Sequence, residues 1–448
     1  MNMQYTEIGK TWAKLSLISG HARRERSFRF TSLAHLLNAE YLRDCYRSLN
    51  RNKAVGIDNV SWWEYGRGLE KNLEGLVKRL KSGKYEPIPA RRVYIPKNET
   101  EKRPLGISAL ENKILERGIT GILESIYEQD FLECSYGFRP GRNCHQALKR
   151  LDELMMQHPT NHIVEADIKG FFDNVDHDRL MEFMRIRIAD TVLLALIGKF
   201  LKAGYIDSGL LVTPDAGTPQ GSILSPILAN IFLHYVLDEW FETTVKSHAK
   251  GFCELIRYAD DFVCAVQYEE DAERIERALK SRFEKYGLEI HPTKSRRMTF
   301  GRFERENAER QNRKANTFDF LGFTHFCATS RNGNFMLGRK TSRKKFTAKI
   351  KEMNEWLKEV RNRVNTKEWW ETLAAKLNGH FQYYGISGNY AEIARYYNLT
   401  VWAVHKWLNR RSQKRTMNWV KFKEYLGHYP LPKPHIAHDF YVFRCSVS

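Results

Sequence analysis

Apolar residues mark out the chain's elements before any other feature does. Near the start, Leu33, Leu36, Leu37 and Tyr41 recur on one face of a predicted helix. From Ala54 to about Thr329, helix-like and strand-like periods alternate without long linkers. Beyond that, Thr341 to Val364 reads as a long helix with Phe346, Ile350, Met353 and Leu357 as its apolar stripe. Further helices are predicted over 369–384, 390–397 and 401–410, with Gly385 and Gly388 breaking the chain between the first two. Pro430, Pro432 and Pro434 are expected to end the ordered part. No internal repeat or low-complexity tract is evident.

Composition narrows the class. At 448 residues the chain exceeds one ordinary core, so two or three domains are expected. With 42% hydrophobic and 28% charged residues, the profile is that of a folded protein and not a disordered one. No apolar run approaches the length of a membrane helix, and Met1–Trp12 lacks the apolar core of a secretory signal, so a cytoplasmic protein without a membrane is expected. The cysteines (Cys45, Cys134, Cys144, Cys253, Cys264, Cys327, Cys445) are odd in number, scattered and without a C-x-x-C pair. That argues against a disulfide framework or a structural zinc site.

Charge changes the picture most. Lys and Arg number 72 against 53 acidic residues, a formal net charge of +19. The excess sits at one end: residues 331–448 hold 23 Lys/Arg and 8 Asp/Glu, interleaved with Trp356, Trp369, Trp370, Trp402, Trp407 and Trp419. A polyanionic partner fits this pattern, because counterion release drives binding to phosphate backbones. An anionic membrane surface or plain solubility would also account for the charge. Tryptophans at helical spacing also serve as core.

Acidic residues in the middle of the chain stand in unusual settings. The run His162 to Asp167 is a short apolar strand ending in an aspartate, with a turn at Gly170. The run Leu255 to Val266 reads as a hairpin with Asp260 and Asp261 at its bend. Adjacent carboxylates between apolar strands repel unless a cation compensates, and Mg²⁺ prefers such oxygen ligands. Two ions roughly 3.5–4 Å apart suit phosphoryl transfer. A solvated turn is the plainer alternative for the pair alone. A third segment, Gly217-Thr218-Pro219-Gln220-Gly221-Ser222, is a loop in which Gly221 permits close backbone approach to a ligand. Ser225 is expected to cap the following helix, with Pro226 at its first position.

Taken with Lys53-Ala54-Val55-Gly56-Ile57-Asp58, Ile95-Pro96-Lys97, Arg103-Pro104-Leu105-Gly106-Ile107, Tyr136-Gly137-Phe138-Arg139-Pro140-Gly141-Arg142, Pro292-Thr293-Lys294-Ser295 and Phe320-Leu321-Gly322-Phe323, these motifs occur in one order. In that order they resemble a bacterial group II intron-encoded reverse transcriptase and maturase, from about Asn52 to His438. The resemblance implies an α+β fold: a right-hand polymerase with fingers and palm built on antiparallel sheet, followed by an α-helical thumb and maturase domain. The expected division is an N-terminal extension (1–50), fingers and palm (51–329) and thumb (330–448).

By the same resemblance, Asp167, Asp260 and Asp261 would be catalytic and would hold two Mg²⁺ ions. Phe172 would exclude a ribose 2′-hydroxyl. Gln220 would lie against the incoming dNTP, Lys97 and Arg103 would neutralise its triphosphate, and Arg139 and Lys294 would contact the nucleotide or the template. Leu321, Gly322 and Phe323 would grip the primer end. Expected partners are group II intron RNA (matching Leu377 to Gly385 in the maturase region), an RNA template, a DNA primer, dNTPs and target DNA for retrohoming. Only 14 residues follow Pro434, so the nuclease domain of many relatives is not expected. A splicing factor with a decayed polymerase, or a domesticated polymerase in DNA repair or phage defence, are the competing readings.

Overall fold

A computed structural model describes residues 10–96, 102–218, 220–292, 295–330, 332–411 and 417–441. Its centre is a four-stranded antiparallel sheet in the order 253–258, 261–266, 162–167, 296–299. Both faces of this sheet are covered, which explains why its strands read as nearly continuous apolar runs. Val164, Ala166, Leu255, Phe262, Cys264 and Val266 point into one core. Ile163, Ile256, Val263, Ala265 and Met298, on the alternate positions, point into a second.

The first core contains the helix Leu110–Tyr127, buried along most of its length, and the helices before it. The expected N-terminal stripe is buried as predicted: Leu33, Leu36, Leu37 and Tyr41 are all in this core. It is not one helix, however. A short turn of tighter helix at Ala34–Leu36 precedes the helix Ala39–Ser48, whose start is fixed by the Asn38 side chain accepting from Tyr41 N. Asp190 also accepts from the backbone of Leu33 and Ala34, tying the segment down from a distance. Residues 10–50 are therefore part of the main core and not a detached arm.

An outer sheet, in the order 102–107, 90–96, 205–207, 210–212, stands beside Leu110–Tyr127. Its two outer pairings are antiparallel, as expected, and its 90–96 and 205–207 strands are parallel.

The second core is shared between the central sheet, the helix Cys144–Gln157 and the C-terminal helices. A three-stranded antiparallel sheet (317–320, 323–329, 335–341) leads into them. The expected boundary at 329/330 falls in a hairpin turn of this sheet, not in a linker. The predicted helices appear as Arg343–Val360, Thr366–Tyr384 and Tyr390–Asn409, with a fourth at Trp419–His428. Two predicted helices, 390–397 and 401–410, are one continuous helix, because nothing in that stretch breaks the backbone.

The chain also stays ordered past Pro434. Ala437 N and His438 N both donate to Gly385 O, and Phe440 is buried beneath Arg339. Trp369, Trp370 and Trp407 are core residues, whereas Trp402 is exposed. The six described cysteines are unpaired. Among the described residues no helix is long and apolar enough to cross a membrane.

Candidate active site

The acidic residues meet at one end of the central sheet. In the pairing of its two middle strands Asp167 is the partner of Asp261, and Tyr258 pairs with Asp261 to close the hairpin. The bend is thus the two residues Ala259 and Asp260, and Asp261 already belongs to the strand. Ala259 has φ 58°, a left-handed conformation that costs a residue with a Cβ about 1–3 kcal/mol and needs support. Gly137 supplies part of it: a Cβ there would stand 2.3 Å from Ala259 N.

The rest comes from Arg257, which is fully buried. Its Nε donates to Asp238 at 2.7 Å, and its Nη atoms donate to Asn230 at 3.0 Å, Ser135 Oγ at 2.8 Å and Ala259 O at 2.9 Å. Asp238 is aimed at it from a turn of wide, π-type helix, His234–Asp238. The sequence reading missed this network. Its signal was present: an arginine inside the apolar strand Cys253–Tyr258 requires a buried acceptor.

The electrostatics of the acids follow from their crowding. Burial, then the neighbouring Asp260, Glu165 and Asp167, push the Asp261 carboxyl up to about 7. Asp260 is likewise raised, by burial and then by Asp167, with Arg103 and Arg257 opposing. Exposed Arg103 is thereby brought into the field of the acids. Such mutual repulsion among hard oxygen donors is the condition a divalent cation relieves, so the donor set fits one. Among the described residues no three such side chains already converge as a closed ligand cage.

The other expected residues fall into three groups. Gln220 lies near Phe172: its amide reaches Asp173 at 3.3 Å, and Thr218 N donates to Phe172 O at 2.6 Å. Phe172 is half-buried, edge-on to Phe171. Leu321 and Gly322 lie beside Asp261 along one cleft, and Leu321 N donates to the Asp261 carboxylate. Leu321 and Gly322 both have positive φ, and Tyr383 holds Leu321 by donating to its carbonyl at 3.0 Å.

Three expectations need correction. Phe323 has no exposed surface and stacks parallel to Tyr383 in the core, so its ring cannot touch a primer. Arg139 is buried too: it pairs with Glu128 and donates to Leu132 O and Ser135 O. Its donors hold the loop under the hairpin rather than a nucleotide. Ser225 is not a cap either; the helix Ser225–Leu233 has Leu224 at its N-cap and no side-chain cap bond, while Ser222 Oγ accepts from Leu224 N. Lys97 and Lys294 lie outside the described residues.

The cleft in front of Asp261 has a volume of about 650 Å³. Besides Asp261, Leu321 and Gly322, its lining includes Lys345, Lys349 and Lys376 from the C-terminal helices, with Glu352 paired to Lys349. Asp261 thus shares one cleft with three lysines.

Comparison with known proteins decides the family. Residues 95–325 match the reverse transcriptase (RNA-dependent DNA polymerase) family. The chain belongs to that family. This reverse-transcriptase chain is 40% identical to the group II intron-encoded protein LtrA of Lactococcus lactis subsp. cremoris, over 50% of its own length and 37% of LtrA. It is 35% identical to protein YkfC of Escherichia coli K12, over 55% of itself and 73% of YkfC. A 91 kDa protein in the cob intron of Schizosaccharomyces pombe is 41% identical over 38% of this chain and 21% of that protein. The chain thus spans little more than a third of LtrA's length.

Proposed function

We propose that the protein is an RNA-directed DNA polymerase that also binds group II intron RNA and assists its splicing, with retrohoming of the intron as the setting. The observation that carries the polymerase reading is the cross-strand pair Asp167–Asp261, with Asp260 in the adjoining bend and Asp261 on the lining of a cleft that also carries three lysines. Similarity to proteins named for group II and other introns supports the maturase part.

In this reading Asp167, Asp260 and Asp261 would hold two Mg²⁺ ions, which when bound activate the primer 3′-hydroxyl and stabilise the departing pyrophosphate. The chain's own residues do the positioning. Leu321 and Gly322, fixed by Tyr383 and by the Asp261 carboxylate, set the primer end against the acids. Arg103 offsets charge on the triphosphate. Gln220 borders the nucleotide, and the Phe172 ring leaves no room for a 2′-hydroxyl. Lys345, Lys349 and Lys376 neutralise the backbone of the primer–template duplex in the cleft.

Asp260→Asn tests the reading. It should abolish cDNA synthesis on a primed RNA template and leave RNA affinity nearly unchanged, since the lysines that line the cleft are untouched. Persistent extension would show that the acids are not the catalytic centre.

A further inference from the structure

The segment that carries Gln220 is held from two sides. On one side Gly217 N donates to Val175 O at 2.8 Å, and His177 Nε2 meets Gly217 O at 2.6 Å. On the other, Gly106 N donates to Gln220 O at 2.6 Å. Gly221, at φ 107°, lies so close to the same strand that a Cβ would stand 2.6 Å from Gly106 O. Backbone contacts thus fix the segment up to Gly221. Beyond Gly221 a buried carboxylate takes hold of it.

Glu116 stands in the middle of the helix Leu110–Tyr127 and is 3% exposed. Its Oε2 accepts from Ile223 N at 2.9 Å, and its Oε1 accepts from Ser108 Oγ at 3.0 Å. The Ser222 side chain gives it a third hydrogen bond. One turn along the helix, Thr120 Oγ1 donates to Ile223 O at 3.4 Å. Lys113, the cation that acts on Glu116, directs its ammonium to Ala54 O at 2.8 Å.

A carboxylate buried without a bonded cation is a costly way to close a turn. The site nevertheless suits it: a backbone N–H and two hydroxyls can all donate, and a carboxylate only accepts. Burial raises the carboxyl, with the bonds from Ile223, Ser108 and Ser222 opposing. The two serines lie on different elements. Ser108 directly follows the strand 102–107 that bears Arg103, and Ser222 is two residues after Gln220.

We propose that Glu116 is a positioning residue for the nucleotide, clamping the strand of Arg103, through Ser108, to the segment of Gln220, through Ser222 and Ile223. It touches no reacting atom. It sets the separation between the cation and the amide that border an incoming dNTP, and this rests on the assignment of Gln220 and Arg103 given above.

The test is steady-state extension of a DNA primer on RNA by the full chain, comparing Glu116→Ala, Glu116→Gln and Gln220→Ala. Measured for each are KM for dNTP, kcat, the Kd for primer–template and Tm. Glu116→Ala should raise KM for dNTP about tenfold, with kcat within about threefold and primer–template Kd unchanged. Glu116→Gln keeps one acceptor oxygen but turns an amide NH₂ towards a donor, so its KM should rise about threefold. If the alanine variant does not fold, the glutamine variant carries the test. A fall in Tm with KM unchanged, or parallel losses in KM, kcat and Kd, would overturn the proposal and leave Glu116 a structural residue. If Gln220→Ala raises KM and the Glu116 variants do not, the clamp is wrong and the pocket stands. If Gln220→Ala leaves KM unchanged, the pocket assignment fails and the clamp falls with it.

Discussion

Arg257 donates to the main-chain carbonyl of Ala259 at 2.9 Å, so a fully buried guanidinium supports the bend that carries Asp260. Its remaining donors are occupied by Asp238, Asn230 and Ser135. Removing one member of such a pair strands the other charge. Arg257→Ala or Asp238→Ala should therefore destabilise the fold by about 3–5 kcal/mol, read by denaturant unfolding. The double change Arg257→Met with Asp238→Leu should recover much of that stability, because no buried charge is left. It should not recover primer extension, since the Ala259 carbonyl still lacks its donor. Full extension by the double variant would reduce the arginine to a packing residue.

The raised carboxyl of Asp261 gives a pH dependence with a definite sign. Its folded value of about 7 lies above the ordinary value of 3.8. Between the two the folded state holds a proton that the unfolded state has lost. In Mg²⁺-free buffer this group's contribution is therefore most favourable at low pH and declines as pH rises through about 7. A bound divalent cation removes that penalty and must displace the proton to bind. Added Mg²⁺ should raise Tm more at pH 8 than at pH 5.5. Near pH 6, calorimetry in buffers of different ionisation enthalpy should show protons released on binding. Equal Tm increments at both pH values would mean that Asp261 is not a ligand.

Much of this site was legible because its motifs are local. The strand ending in Asp167, the acid pair and the glycine-containing loop each announce themselves within about ten residues, and the structure places the first two in register. What was not legible depends on partners far along the chain. Arg139 looks like a free cation in its loop, and only the fold brings Glu128 and two carbonyls to its guanidinium. Phe323 follows two residues that line the cleft, but strand alternation turns its ring into the core. Glu116 gives no local signal, since a buried acid between Asn112 and Thr120 on one helix face shows its purpose only when Ser108 and Ile223 are in place. The continuous helix Tyr390–Asn409 was read as two because its apolar stripe weakens in the middle, while its backbone does not.

Phe172 offers a test of sugar selection. Its ring is half-buried and its carbonyl already accepts from Thr218 N at 2.6 Å, so the backbone there is fixed independently of the side chain. Phe172→Ala should leave the fold and the KM for dNTP nearly intact. Incorporation of ribonucleotides relative to deoxynucleotides should rise by about tenfold or more, because a steric exclusion is lost. Single-nucleotide extension with each substrate, followed by alkaline cleavage of the product, measures the ratio. An unchanged ratio would make Phe172 an ordinary neighbour of Phe171.

The lysines of the cleft are best probed by point changes, because the C-terminal helices share a core with Ile163, Leu148 and Leu151 and their removal would expose it. Lys345, Lys349 and Lys376 line the same cleft as Asp261. Each phosphate neutralised by a lysine contributes about 0.7–0.9 to the slope of log K against log salt. Changing all three to Ala should therefore lower the slope for a primer–template duplex by about 2–3, with little change in Tm. Changing three exposed arginines that do not line the cleft, Arg277, Arg302 and Arg310, provides the control and should leave the slope nearly unchanged. Equal losses from both sets would mean that the duplex is held by diffuse charge, and that the cleft is not its path.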